Sequence, residues 1–127
     1  MRALVVDDSR TMRRIVAGIL ERQGFEVLQA EHGEEALTVL TEDDRFELLC
    51  IDWNMPVMDG LELVAAVRKE RKWRNITMMM VTTEAEQSQI VRALAAGAHE
   101  YLIKPFTPEE LRAKLELLGL VSVKELA

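Results

Sequence analysis

The chain has one cysteine, at position 50, which excludes an internal disulfide. It sits within an apolar run, where a small buried residue is the expected reading and a reactive thiol is not. Only three prolines and six glycines punctuate 127 residues. Linkers, low-complexity segments and internal repeats are absent. Basic residues number 16 against 22 acidic ones, giving a net charge of -6. That balance disfavours general nucleic-acid binding, which needs a basic face. No apolar stretch is long enough to span a bilayer, so membrane insertion is not expected. The N-terminus lacks the apolar segment and cleavage site of a signal peptide. Together these absences predict one domain over residues 1–127, located in the cytoplasm.

What is present is a repeated idea. Short apolar runs end abruptly in polar residues: 3–6 in Asp7 and Asp8, 49–51 in Asp52, 78–81 in Thr82 and Thr83, 101–103 in Lys104. Short bounded runs of this kind suit strands buried on both faces of a parallel sheet. Five strands are predicted, at 3–6, 25–28, 46–51, 76–81 and around 101–103. Helical periodicity fills the gaps. Met12, Ile15, Val16, Ile19 and Leu20 share one face of a first helix, which Ser9 caps and Gly24 ends. Further helices are predicted at 34–40, 61–72 and 86–96, the last with Ile90, Val91 and Leu94 inward and Gly97 as its stop. Pro108 opens a final helix carrying Leu111, Leu115 and Leu118. The residues from Gly119 onward are expected to extend that helix or fray. Five alternating β/α units imply an α/β fold, a doubly wound five-stranded parallel sheet with helices on both faces.

In such sheets, sites form beyond the carboxyl ends of the strands, where the strand order reverses. Carboxylates after strands one and three meet if those strands are neighbours, as in the order 2-1-3-4-5. Clustered Asp7, Asp8 and Asp52 would repel one another unless a cation neutralised them. Oxygen-only ligands with room for water favour Mg²⁺, and no His or Cys set lies nearby in sequence. An aspartate can also attack phosphorus and form an acyl phosphate. Lys104 is placed to offset the charge of the phosphoryl group, and Thr82 to donate a hydroxyl to it.

The set Asp7-Asp8, Asp52, Thr82 and Lys104-Pro105 resembles the signature of response-regulator receiver domains. The resemblance covers essentially the whole chain and is closest to stand-alone chemotaxis receivers of the CheY type. Asp-Asp-Ser-Arg-Thr-Met-Arg-Arg-Ile-Val, Asp-Trp-Asn-Met-Pro-Val-Met-Asp-Gly-Leu-Glu-Leu and Tyr-Leu-Ile-Lys-Pro-Phe carry it. It implies the flavodoxin-like (β/α)5 topology with order 2-1-3-4-5. It also assigns roles. Asp52 is the phosphoacceptor; Asp8 and Asp52 bind Mg²⁺ directly, with the backbone carbonyl of Asn54, while Asp7 acts mainly through water. Lys104 contacts the phosphoryl group and, before phosphorylation, Asp52. Thr82 and Tyr101 form the switch, coupling the site to the face of helix four, strand five and helix five, where an effector docks. The Lys104-Pro105 bond is expected to be cis. Asn54 and Glu84 leave water access to the phosphoaspartate, which implies a short lifetime.

The implied function is that of a two-component response regulator. A sensor histidine kinase or phosphotransfer domain supplies the phosphoryl group, most consistently in chemotaxis-type signalling, with no output domain attached. Such a receiver is not an enzyme beyond catalysing its own aspartyl phosphorylation and dephosphorylation. A phosphorelay carrier is an alternative, although Tyr101 favours a conformational readout. A Mg²⁺-dependent phosphatase with an aspartyl nucleophile is weaker, because no Asp lies two residues beyond Asp52 and no cap domain is visible. Taken singly, the same residues have structural readings: Asp7 and Asp8 as helix-capping acids, Thr82 as a strand residue, Lys104 as a solvated lysine. The methionines at 78–80 read as core packing, the basic run 68–74 as a solvated helix end, and His32 and His99 as surface or loop residues. Arg13 and Arg14 are expected on the exposed face of the first helix, as surface charges or as contacts for a phosphohistidine domain.

Overall fold

Each of the five apolar runs becomes a strand, and all pair in parallel. A computed structural model describes residues 1–43 and 45–123. The elements are β1 (Arg2–Val6), α1 (Arg10–Arg22), β2 (Glu26–Ala30), α2 (Gly33–Glu42), β3 (Leu48–Ile51), α3 (Gly60–Lys69), a 3₁₀ turn (Arg71–Trp73), β4 (Thr77–Thr82), α4 (Gln87–Ala96), β5 (Glu100–Ile103) and α5 (Pro108–Leu117). The sheet order is β2-β1-β3-β4-β5. Each crossover helix has room to lie on one face, because parallel neighbours cannot be joined by a tight turn.

Alternation along the strands divides the core in two. Leu4, Val6, Leu49, Ile51, Met78 and Met80 face α2, α3 and α4, packing with Ala36, Leu40, Leu63, Val64, Val67 and Ala93. Ala3, Val5, Leu48, Cys50, Met79 and Val81 face α1 and α5, packing with Val16, Ile19, Leu20, Leu111 and Leu115. The three consecutive methionines therefore serve opposite faces and are fully buried, in keeping with a packing role.

Register then places the site. Val6 lies opposite Ile51, so the next residues, Asp7 and Asp52, emerge side by side. Thr82 lies opposite Ile103, which brings Lys104 out at the same edge.

Several local expectations are corrected. Arg13 is buried, not on the exposed face of α1, whereas Ile15 is exposed. On α4, Val91 and Leu94 are exposed and Ala93 is fully buried. Ile90 packs on the first core as expected, beside Ala93 and Ala96, while Val91 and Leu94 turn outward. Helix α3 ends at Lys69, because Glu70 takes an extended conformation (φ -89°, ψ 116°) before the separate turn that buries Trp73. Arg68 is not simply solvated: its guanidinium donates to the carbonyls of Arg74 and Gly97. Gly97 closes α4 at φ 127°, where a Cβ would also stand 2.8 Å from Arg68 Nε. Residues 119–123 do not extend α5. The Leu120 N–H donates back to the Leu115 carbonyl, and Leu120 and Val121 pack on the second core. The expectation for 124–127 falls outside the described residues.

Candidate functional site

The three aspartates meet at the strand ends. Carboxylate oxygens of Asp7, Asp8 and Asp52 all lie within 4.8 Å of one another. Asp7 and Asp52 are buried, and Asp8 is exposed. Asp7 Oδ1 accepts the Ser9 N–H at 2.8 Å, while Ser9 Oγ accepts the Met12 N–H at 3.2 Å and caps α1. The turn that presents the acids is thus the turn that starts the helix. Three carboxylates with one open to water fit a hard divalent cation, which takes oxygen ligands and retains waters.

Lys104 reaches this cluster from β5. Its Nζ donates to Asp7 Oδ2 at 2.7 Å and stands 3.7 Å from Asp52 Oδ2. The lysine thus sits closer to Asp7 than to Asp52, the contact expected from the sequence. Burial pushes the Asp52 carboxyl above its ordinary range. The Lys104 charge opposes that rise and the Asp7 charge adds to it, while Thr82 and the Trp53 N–H favour the ionised form by hydrogen bonding. Lys104-Pro105 is a cis bond, as expected.

Two loops close over the far side. Asn54 Nδ2 donates to Glu84 Oε1 at 2.7 Å, and the Tyr101 hydroxyl donates to the Glu84 carbonyl at 2.6 Å. Glu84 therefore touches Asn54, in the loop after Asp52, and Tyr101, on β5, at once. Thr82 is fully buried, and its Oγ1 accepts the Glu84 N–H at 3.3 Å. In the loop after Asp52, Val57 has φ 68°, and the Met58 N–H donates to the Pro56 carbonyl at 2.7 Å. This is a three-residue turn in a conformation that disfavours β-branched side chains.

Sequence reasoning missed two contributors. Arg13 Nη1 donates to the Asp7 carbonyl at 2.7 Å, and its Nε donates to Gln29 Oε1 at 3.3 Å. The guanidinium braces the acidic turn from behind, an arrangement invisible to helical periodicity. Gly60 is the other. Its N–H donates to the Trp53 carbonyl at 2.8 Å, and a Cβ there would stand 2.3 Å from the Asp52 carbonyl.

Neither histidine joins the acids, as expected. His32 Nδ1 accepts the Glu35 N–H at 3.2 Å and caps α2. His99 Nδ1 accepts the Met78 N–H at 3.0 Å at the opposite end of the sheet. Partial desolvation of this exposed residue, then the nearby Arg68 charge, holds the His99 imidazole below its ordinary 6.5. The folded chain thus binds fewer protons there than the unfolded chain. Stability should be full above 6.5 and fall as pH drops through the lowered value. Thermal melts at a series of pH values from 7 to 5 should show a shallower decline for His99→Gln than for the unsubstituted protein. Identical slopes would remove His99 as the cause.

Comparison with known proteins agrees with this geometry. The response regulator receiver domain family matches residues 3–116. A chemotaxis protein CheY homolog of Campylobacter jejuni is 51% identical over 117 residues, spanning 91% of this chain and 90% of that protein. Chemotaxis protein CheY1 of Helicobacter pylori is 48% identical over 119 residues, covering 93% and 96% respectively. Among solved structures, Vibrio cholerae chemotaxis protein CheY4 superimposes with a TM-score of 0.85 at 39% identity, covering 91% of this chain and 96% of that one. Among the described residues, no helix is long and apolar enough to cross a membrane.

Proposed function

The chain belongs to the response regulator receiver family, and on that premise we propose that it is the phosphorylation-driven switch of a chemotaxis-type two-component system. The observation that carries this reading is the meeting of Asp7, Asp8 and Asp52 with Lys104 at one sheet edge. The relatives it matches are covered along 90% and 96% of their length, which supports reading residues 1–127 as a single receiver domain; a cytoplasmic location belongs to the same reading.

In this reading Asp52 is the phosphoacceptor. Asp8, Asp52 and the Asn54 carbonyl would hold Mg²⁺, with Asp7 acting through water. When bound, the ion offsets charge between the carboxylate and the incoming phosphoryl oxygens. A carboxylate oxygen of Asp52 attacks the phosphorus of a phosphohistidine on a sensor kinase or phosphotransfer domain. The P–O bond forms as the P–N bond breaks, and the imidazole departs. Lys104 pairs with the new anion, and the Thr82 hydroxyl donates to it. Tyr101 links that change to the face of α4, β5 and α5, through its bond to Glu84. The effector docks on this face. The switch is a population shift, limited by the difference in affinity of the phosphoryl group for the two conformations. The protein is no enzyme beyond its own phosphorylation and dephosphorylation. A phosphatase reading is not supported, since the residue two beyond Asp52 is Asn54, engaged with Glu84.

The test is retention of partners from cell lysate on immobilised protein, with Mg²⁺, with and without beryllofluoride, which mimics an aspartyl phosphate. A partner retained only in the activated sample is expected. An unchanged set rich in phosphotransfer domains would point to a relay carrier instead.

A further inference from the structure

Arg92, exposed on α4, holds its guanidinium carbon 5.8 Å from the centroid of the Trp53 ring. Trp53 is the residue after Asp52 and is 7% exposed. Its carbonyl accepts the Gly60 N–H at 2.8 Å, and its N–H is among the groups that favour the ionised Asp52 carboxylate. A cation over an indole face is attracted by the ring quadrupole, and an exposed helix residue gains that contact without being desolvated. Arg92 therefore joins α4 to the backbone that addresses Asp52, by a route separate from the Tyr101–Glu84 link.

We propose that Arg92 is a positioning residue for the phosphoacceptor loop, fixing Trp53 and biasing the site toward an added anion and against a dication. The inference rests on Asp52 being the phosphoacceptor. Its electrostatic half follows from sign alone. A fixed positive charge beside the site attracts a phosphoryl group and repels a divalent cation. Its mechanical half follows from the ring contact, which holds α4 and the loop after Asp52 in one arrangement.

These consequences separate a charge-setting residue from a merely structural one. Loss of structure loosens the site and weakens every ligand. Loss of charge moves anion and cation in opposite directions. The experiment uses the full chain carrying Trp73→Phe, so that emission comes from Trp53 alone. Without metal, Arg92→Met should raise acrylamide quenching of Trp53. Titrated with Mg²⁺, it should bind about fourfold more tightly. Titrated with beryllofluoride at saturating Mg²⁺, it should bind about twofold more weakly. Changes of that size suit a unit positive charge roughly 10 Å from a dication or a monoanion at low ionic strength, and they should shrink in high salt. Arg92→Lys, which keeps the charge, should return both constants to those of the parent.

Parallel weakening of both ligands, or no change in either, would overturn the proposal, as would a lysine variant that behaves like methionine. Unchanged quenching would overturn its positioning half. Failure of the parent protein itself to bind beryllofluoride would be a different result, removing the phosphoacceptor reading on which the inference stands.

Discussion

Asp52→Asn should take up no phosphoryl group from a small acyl phosphate in the presence of Mg²⁺, and yet should unfold at a higher temperature when metal is absent. The two effects share one cause. Burial makes the Asp52 carboxylate costly in the folded state; Lys104, 3.7 Å away, opposes that cost and the Asp7 charge adds to it. The neutral amide escapes the remainder, a net gain on the order of 1 kcal/mol. For a domain of this size that is a rise of a few degrees.

The pH dependence fixes the sign. The Asp52 carboxyl is held above its usual range, chiefly by burial, so the folded state favours the protonated form. At pH values below the ordinary carboxylate range the acid is neutral in both states and should show no penalty. Its penalty grows as pH rises from the ordinary carboxylate range and is complete once pH exceeds the raised value. The advantage of asparagine should grow over the same interval. Mg²⁺ should then erase it, because a ligand that binds only the folded parent adds stability by mass action. Melts across a pH series, with and without a chelator, would show this. Incorporation of phosphate into Asp52→Asn would move the acceptor role to another residue.

Gly60→Ala should destabilise the protein by about 3 kcal/mol, although the position opens a helix. In an unconstrained helix, alanine in place of glycine gains roughly 1 kcal/mol. Here the added methyl would meet the Asp52 carbonyl at 2.3 Å and Trp53 Cα at 2.8 Å, both backbone atoms that no side-chain rotation can relieve. Steric cost therefore outweighs propensity. Because the clash falls on Asp52 itself, Mg²⁺ affinity should drop along with the denaturant midpoint. A variant within 0.5 kcal/mol of the parent would mean that the loop relaxes without harm and that the close approach is not a constraint.

The strand ends were the most legible part of the chain. A run such as 49–51 followed by Asp52 can be read directly, because burial on both faces demands continuous apolar residues and the first polar residue marks the exit. Sheet order was less direct; it followed from requiring three acids to meet and from the family resemblance. Helix faces were read less well where size and burial diverge. Val91 and Leu94 were expected inward with Ile90 because they are large and apolar, whereas α4 packs through Ala93 with Ile90 and Ala96 beside it. A face chosen by hydrophobicity misses a helix that approaches closely through a small residue. Arg13 was misplaced for the converse reason. Its charge suggested solvent, but its donors reach the Asp7 carbonyl and Gln29, partners distant from the helical pattern. Gly60 and Arg92 act through contacts between separate elements, and no local sequence signal marks either.

Cys50 has one practical consequence. It is 1% exposed in the middle of β3, and burial pushes its thiol up to about 12, so at neutral pH it presents almost no thiolate to a maleimide. A cysteine introduced at an exposed position such as Val91 would be the single address for a dye or spin label on the native protein. Distances from α4 to the rest of the molecule could then be followed during activation without first removing a native thiol.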